Sequence, residues 1–311
     1  MDERERQKNQ LLSLISAFSD PVDGVIYHYT SAEGLRGIIE NSEIWLTNTA
    51  FVNDTTECRA LREEVSLFTD DNFTNENVRD CWNNYLRHSD NNYNNYIASF
   101  SKTRASLDQY RAYGNFCLGF DVNGLRSPYS NLYQCVYKKE EIRKWILEKE
   151  KVKEWEGRSL SDQFLRGAAF SLISAASRKY KNDSFSNEEE VRLISVSNHT
   201  WEYYPNSSSM FADEPPIHFR DHLTYKMPIP YVKYFIRSKQ DIVWGETYGE
   251  SKERKLRYEK DIKRDSLPIT EILIGPMLHQ EEAVIACKIL LSDMGYKNVK
   301  VSALDIPYRG L

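Results

Sequence analysis

Six residues, Val25-Ile26-Tyr27-His28-Tyr29-Thr30, constrain the fold most tightly. A strand has a period of two, which puts Val25, Tyr27 and Tyr29 on one face and Ile26, His28 and Thr30 on the other. The next residues specify a helix directly after that strand. Thr30 and Glu33 form a capping-box pattern, Leu35, Ile38 and Ile39 supply an apolar stripe, and Asn41 stops it.

Short strand segments recur without regular helical alternation: 43–47, 96–101, 115–120, 132–137, 189–196 and 229–236. Asn53-Asp54 signals the start of a helix carrying Leu61, Val65 and Phe68, and a surface helix is expected within 71–95. Residues 269–274, 280–294 and 299–303 read as strand, helix and strand. The expected class is α+β with a largely antiparallel sheet core. With no Pro/Gly/Ser-rich linker or repeat, a single domain over residues 1–311 is expected. It has an amphipathic helix within residues 1–20 and a helical insertion over 138–182.

The chain has 311 residues, 41% of them hydrophobic and 28% charged, enough to bury a core without metals or disulfides. Cys58, Cys81, Cys117, Cys135 and Cys287 are odd in number and lack Cys-x-x-Cys spacing, which suits a reducing compartment. No apolar run approaches the roughly 20 residues of a bilayer span, so the expected location is cytoplasmic with no membrane partner. The formal net charge is −5, yet residues 217–264 carry twelve Lys/Arg against seven Asp/Glu. Helically spaced charges of both signs in 251–264 also fit a solvated helix face.

Four segments place polar groups at strand ends. His28, beside Thr30, can offer a ring nitrogen to a sugar hydroxyl, near the free N–H groups of a helix end. Asn53, Asp54 and Glu57 have the pattern of a helix cap and first turn. Ser99 and Ser101 share a strand face, and Tyr110 or Tyr113 can stack on a flat ring. In Glu188-Glu189-Glu190-Val191-Arg192-Leu193, inward Val191 and Leu193 put Glu188, Glu190 and Arg192 together on the opposite face.

In order, these segments resemble a large prokaryotic family long catalogued as a domain of unknown function. Its members show His-Tyr-Thr, Asn-Asp-x-x-Glu, Phe-Ser, Trp/Tyr-x-x-Tyr-Gly, Gly-Phe and Glu-x-Glu-x-Arg-Leu. Here these are His28-Tyr29-Thr30, Asn53 to Glu57, Phe100-Ser101, Tyr110 to Gly114, Gly119-Phe120 and Glu188 to Leu193. That family is similar to the ADP-ribosyltransferases, especially the His-Tyr-Glu branch and DarT-type toxins that modify nucleic acid.

The resemblance implies a split antiparallel sheet that binds NAD as substrate, without a metal. It makes His28 a partner of the ribose hydroxyls, Tyr113 the ring on nicotinamide and Glu190 the catalytic acid. Tyr29, Thr30, Asn53, Ser99, Ser101 and Tyr110 become NAD-site neighbours, with Glu188 and Arg192 on the acceptor side. The implied acceptor is a nucleic acid, RNA favoured over DNA. The implied setting is an antiphage toxin restrained by an antitoxin protein. His28 and Glu190 then have to converge on one nucleotide-sized cleft.

The chemistry suits those residue types. Breaking the ribose–nicotinamide bond develops positive charge on the sugar, which a fixed carboxylate stabilises, and nicotinamide leaves as a neutral molecule without a strong acid. Two other classes compete: a metal-dependent hydrolase or nuclease using Asn53, Asp54, Glu57, Glu190 and His28, and a non-catalytic nucleotide sensor.

Overall fold

The computed structural model describes residues 21–54, 56–58, 60–61, 73–88, 95–125, 131–151, 162–196, 216–221, 226–237 and 264–305. The expected helix within 4–18, Val65, Phe68 and nearly all of the basic 251–264 segment lie outside the described residues.

The protein is α+β, built on a large mixed, mostly antiparallel sheet of ten strands. Its strands are β1 (Val25–Thr30), β2 (Ile44–Asn48), β3 (Asn95–Ser101), β4 (Phe116–Asp121), β5 (Asn131–Gln134), β6 (Glu190–Val196), β7 (Ile217–Asp221), β8 (Pro228–Tyr234), β11 (Ile269–Ile274) and β12 (Lys300–Ala303). A two-stranded ribbon joins β9 (Ile236–Arg237) to β10 (Arg264–Asp265). The main path runs β12-β11-β4-β1-β3-β2-β8-β7, while β6 pairs with both β3 and β5. Among the named strands, β11 and β12 form a parallel pair, joined by the helix that the strand–helix–strand pattern predicted.

The chain divides into two compact units. One comprises Val22–Asn48, Asn94–Leu132 and Glu188–Leu311, and contains nearly all of the sheet. It also holds α1 (Ala32–Asn41), α3 (Leu107–Tyr113) and α6 (Gln280–Asp293). Alternation in its strands sorts two apolar layers. Ile26, Phe100, Leu118, Phe120, Val191, Leu193 and Ile272 join Leu35, Ile38 and Ile39 of α1 and Cys287 and Leu291 of α6 in the main core. Tyr27, Tyr29, Cys117 and Leu273 meet Tyr110 of α3 in a smaller cluster on the opposite face. The cap of α1 is Ser31, whose Oγ accepts from the Gly34 N–H at 3.2 Å, and not Thr30, which stays in β1.

The other unit comprises Met1–Pro21, Thr49–Tyr93 and Tyr133–Asn187. Its described helices are α2 (Glu76–His88), α4 (Lys139–Lys149) and α5 (Asp162–Lys179), the last two within the expected 138–182 insertion. Trp82, Ala168, Ala169, Leu172 and Ile173 are buried here, and Tyr85 donates to Ser177 Oγ at 2.9 Å. Buried Glu150 accepts from the Thr74 N–H at 3.2 Å and the Asn75 N–H at 3.4 Å, fixing the residues that lead into α2. Among the described residues, no helix is long and apolar enough to cross a membrane.

Candidate functional site

The sheet forks at β3. One edge of β3 pairs with β6 along its whole length, from Asn95↔Val196 to Ser101↔Glu190. The other edge is shared: β2 takes Tyr96 and Ile97, and β1 takes Ser101 through Tyr27. Beyond Tyr27, β1 peels away, leaving the stretch between Ile97 and Ser101 without a strand on that side.

Backbone groups in an antiparallel strand alternate between its two edges. The Lys102 N–H donates to the Glu189 carbonyl at 3.0 Å on the β6 side, so three residues earlier Ser99 presents its carbonyl to the fork. There His28 Nδ1 meets it at 2.9 Å. A carbonyl only accepts, so Nδ1 carries the proton and neutral His28 keeps Nε2 as an acceptor. The residue retains some accessible surface, but its ring is enclosed enough for desolvation to push its pKa below 6.5, opposed by the Ser99 bond. Phe100, the residue that would pair with His28 if β1 continued along β3, packs on the imidazole at 5.4 Å between centroids.

The Glu188–Glu190 run divides into three different environments. Glu188 closes a 3₁₀ turn over Asp183–Glu188, and its carbonyl accepts from Ser101 Oγ at 2.6 Å. Glu189 has φ of 42°, a left-handed conformation unusual for glutamate, and its exposed carboxylate accepts from Thr103 Oγ1 at 3.0 Å. Glu190 opens β6 and is 2% exposed, with Oε2 3.2 Å from Nε of Arg192, which is fully buried. Charges so deeply placed require each other, because either one alone faces the full desolvation penalty.

One row of paired residues crosses six strands: Glu190, Ser101, Tyr27, Gly119, Glu271 and Lys300. Directly paired residues share a sheet face. Glu190, Arg192, Ser99 and Ser101 therefore share the face of Tyr27 and Tyr29, whereas His28 belongs to the face of Ile26 and Phe100. The imidazole and the Glu190 carboxylate lie on opposite faces, with β3 and its unpaired edge between their strands, so the expected convergence of the two on one cleft is not met. Gly119 has a packing reason: a Cβ there would lie 3.0 Å from Glu271 Cγ and 3.2 Å from Tyr27 Cε1. The two side chains meet over it, Tyr27 donating to Glu271 Oε1 at 3.1 Å.

Tyr110 and Tyr113 have separate environments. Tyr110 is 3% exposed, sits edge-on to Tyr29 at 4.9 Å, and would meet a Cβ added to Gly275 at 2.5 Å. Tyr113 ends α3 and is 41% exposed. Gly114 follows with φ of 120°, and a Cβ there would lie 2.7 Å from the Thr30 carbonyl oxygen. That close approach sets the end of α3 against the turn after β1, which sequence spacing did not reveal. Tyr29 is committed to the loop before α3: its hydroxyl donates to the Thr103 carbonyl at 2.7 Å and accepts from the Ser106 N–H at 3.0 Å.

Asn53 and Asp54 belong to the other unit. Asp54 Oδ1 accepts from the Thr56 N–H at 2.8 Å and Thr56 Oγ1 at 2.7 Å, and Glu57 is buried nearby in sequence. Among the described residues, no group of three or more His, Cys, Asp or Glu side chains is placed to hold a metal ion. Sequence reasoning missed Arg104, which carries no periodic or motif signal but makes a bidentate pair with Glu271. The chain matches no protein-family model, no curated protein and no solved structure.

Proposed function

We propose that this protein is an NAD-dependent ADP-ribosyltransferase with a split-sheet NAD site at the β3 fork and a nucleic acid, RNA rather than DNA, as acceptor. The observation that carries this reading is the fork itself. A neutral histidine with an accepting Nε2 closes one side of the unpaired edge, while a buried carboxylate held by arginine begins the strand on the other side. The first is suited to orienting a ribose hydroxyl, and the second to stabilising positive charge on the sugar as nicotinamide departs.

Their placement on opposite faces makes a specific demand: the His28–Ser99 bond that closes the gap where β1 leaves β3 must open for one dinucleotide to reach both. Exposed Tyr113, rather than buried Tyr110, suits the ring that stacks on nicotinamide. Ser101 and Tyr29 act on backbone positions around the site, and Asn53 belongs to a turn in the other unit. Acceptor choice rests on the basic character of residues 217–264 and the family resemblance, as does a role as an antiphage toxin with an antitoxin partner in the cytoplasm.

The test is incubation of the full chain with NAD labelled in its adenylate moiety and separate RNA, DNA and protein pools. Label retained by RNA with nicotinamide released is the expected result. Absence of nicotinamide release from every pool overturns the transfer reaction, and label on protein alone overturns the acceptor. A binding-only role is favoured by one observation, the complete burial of the Glu190–Arg192 pair; tight NAD binding with no release would select it.

A further inference from the structure

The loop from Lys102 to Ser106 is braced more heavily than a link into a seven-residue helix requires. Tyr29 ties it down at Thr103 and Ser106, and Thr103 adds a backbone bond to Ser101 Oγ at 2.9 Å and a side-chain bond to Glu189. Within this brace stands Arg104. Its Nε and Nη2 donate to the two oxygens of Glu271 at 3.1 and 2.7 Å, and Tyr27 makes a further bond to the same carboxylate. Glu271 is 14% exposed while Arg104 is 44% exposed, so the carboxylate is the support and the guanidinium the outward group.

A guanidinium has five N–H donors, and Glu271 engages one edge, leaving Nη1 for another acceptor. Such a fork, already fixed, suits a phosphate's paired oxygens without the usual loss of side-chain freedom. Lys300 is the registered neighbour of Glu271 on the parallel strand, so two cations, Arg104 and Lys300, flank that carboxylate. The patch shares its sheet face with Glu190, because Glu190 and Glu271 lie in the same row four strands apart, about 19 Å at the usual strand spacing. Arg104 reaches back from the end of β3 to β11, where its guanidinium sits against the Glu271 carboxylate.

We infer that Arg104, held by Glu271 and Tyr27, binds the diphosphate of the nucleotide. The inference rests on the NAD reading for the direction in which that nucleotide lies, with its ribose–nicotinamide end toward Glu190. It does not depend on the transfer reaction.

Calorimetry of the full chain with ADP and with inorganic pyrophosphate, neither of which contains nicotinamide, separates the two. The expected result is that both bind, that Arg104→Gln weakens both at least tenfold, and that Arg104→Lys, which keeps the charge but loses the fork, recovers only part. Arg36→Gln, at an exposed arginine of α1 paired with Glu40, leaves both affinities unchanged. Circular dichroism of each variant confirms that it is folded, and Arg104→Lys supplies the comparison if Arg104→Gln does not fold. Failure of the wild-type chain to bind either probe overturns the site, as does wild-type affinity in folded Arg104→Gln or Arg104→Lys. Arg104-dependent ADP binding in a chain that never releases nicotinamide from NAD upholds the diphosphate site and refutes transferase activity.

Discussion

His28 Nδ1 lies 2.9 Å from the carbonyl oxygen of Ser99, in the stretch of β3 that neither β1 nor β2 covers. A side chain thus supplies the bond that a neighbouring strand would otherwise make, and because Ser99 is exposed the bond is worth about 0.5–1.5 kcal/mol. The histidine consequently has two roles, closing the fork and exposing Nε2, and these can be separated experimentally. His28→Asn retains a donor of shorter reach, so it is expected to fold with a modest loss of stability while NAD affinity falls about tenfold or more. Calorimetric NAD affinity equal to wild type would remove His28 from the site.

Acid stability follows from the same burial. The folded pKa of His28 is depressed below 6.5, so at higher pH the ring is neutral in both states and its contribution to stability is complete. As pH falls through 6.5 the unfolded chain gains the proton first, and stability declines until the folded pKa is passed. Chemical unfolding at steps between pH 8 and pH 5 is expected to show this decline in the wild-type chain and less of it in His28→Asn. Equal slopes in the two proteins would show that His28 does not titrate in this way.

The buried Glu190–Arg192 pair predicts an asymmetry. Arg192→Met leaves the carboxylate enclosed without its cation and is expected to cost about 3–5 kcal/mol, read from denaturant midpoints. Glu190→Leu combined with Arg192→Met removes both charges and should restore much of that loss. On the proposed reaction the double variant should remain inactive in nicotinamide release, because packing is repaired and the carboxylate assigned to the transition state is not. Turnover by a folded double variant would limit the pair to a structural role.

At the alkaline end, Tyr27 is the reporter. Burial first, then the adjacent Glu271 carboxylate, raise its hydroxyl from 10 to about 12. The neutral phenol is favoured by the folded state, so its contribution is complete below pH 10 and is lost as pH rises toward 12. Burial also raises Tyr29, Tyr96 and Tyr110, so ultraviolet titration should show several late-ionising tyrosines, and Tyr27→Phe should remove the step near 12 while the others remain. A titration unchanged by that substitution would break the link between Tyr27 and Glu271.

Much of the sheet could be read locally. Alternation placed β1, β3 and β6 close to their observed limits, put Ser99 with Ser101, and put Glu190 with Arg192 opposite Val191 and Leu193. The pairing that makes the fork could not be read, since Tyr27↔Ser101 joins residues 74 positions apart and local periodicity carries no partner information. The sheet faces of His28 and Glu190 relative to each other depend on that same register. β7 was missed because Ile217-His218-Phe219-Arg220-Asp221 is short and half polar, and α3 because it was read only as a carrier of tyrosines. Gly114 and Gly119 belong to the motif segments, yet each, like Gly275, sits where a Cβ would press on a neighbouring group.

The two tyrosines of α3 offer the sharpest division between packing and binding. Tyr113 is exposed at the helix end, next to Gly114, which lies too close to Thr30 and Ser31 for any side chain. Stacking a planar ring on Tyr113 is worth about 1–3 kcal/mol by analogy with bases on aromatic side chains, or roughly fivefold to more than a hundredfold in affinity. Tyr113→Ala should therefore weaken NAD with little change in unfolding midpoint, and Tyr113→Phe should restore binding because the face of the ring is what matters. Tyr110→Ala should do the reverse, costing about 3–5 kcal/mol by emptying the cluster under Tyr29. Gly114→Ala belongs between them: φ of 120° and the Thr30 contact should cost more than about 1 kcal/mol and displace Tyr113 together with the helix end. If Tyr113→Ala binds NAD as the wild type does, nicotinamide stacks elsewhere and the site at the fork loses its aromatic wall.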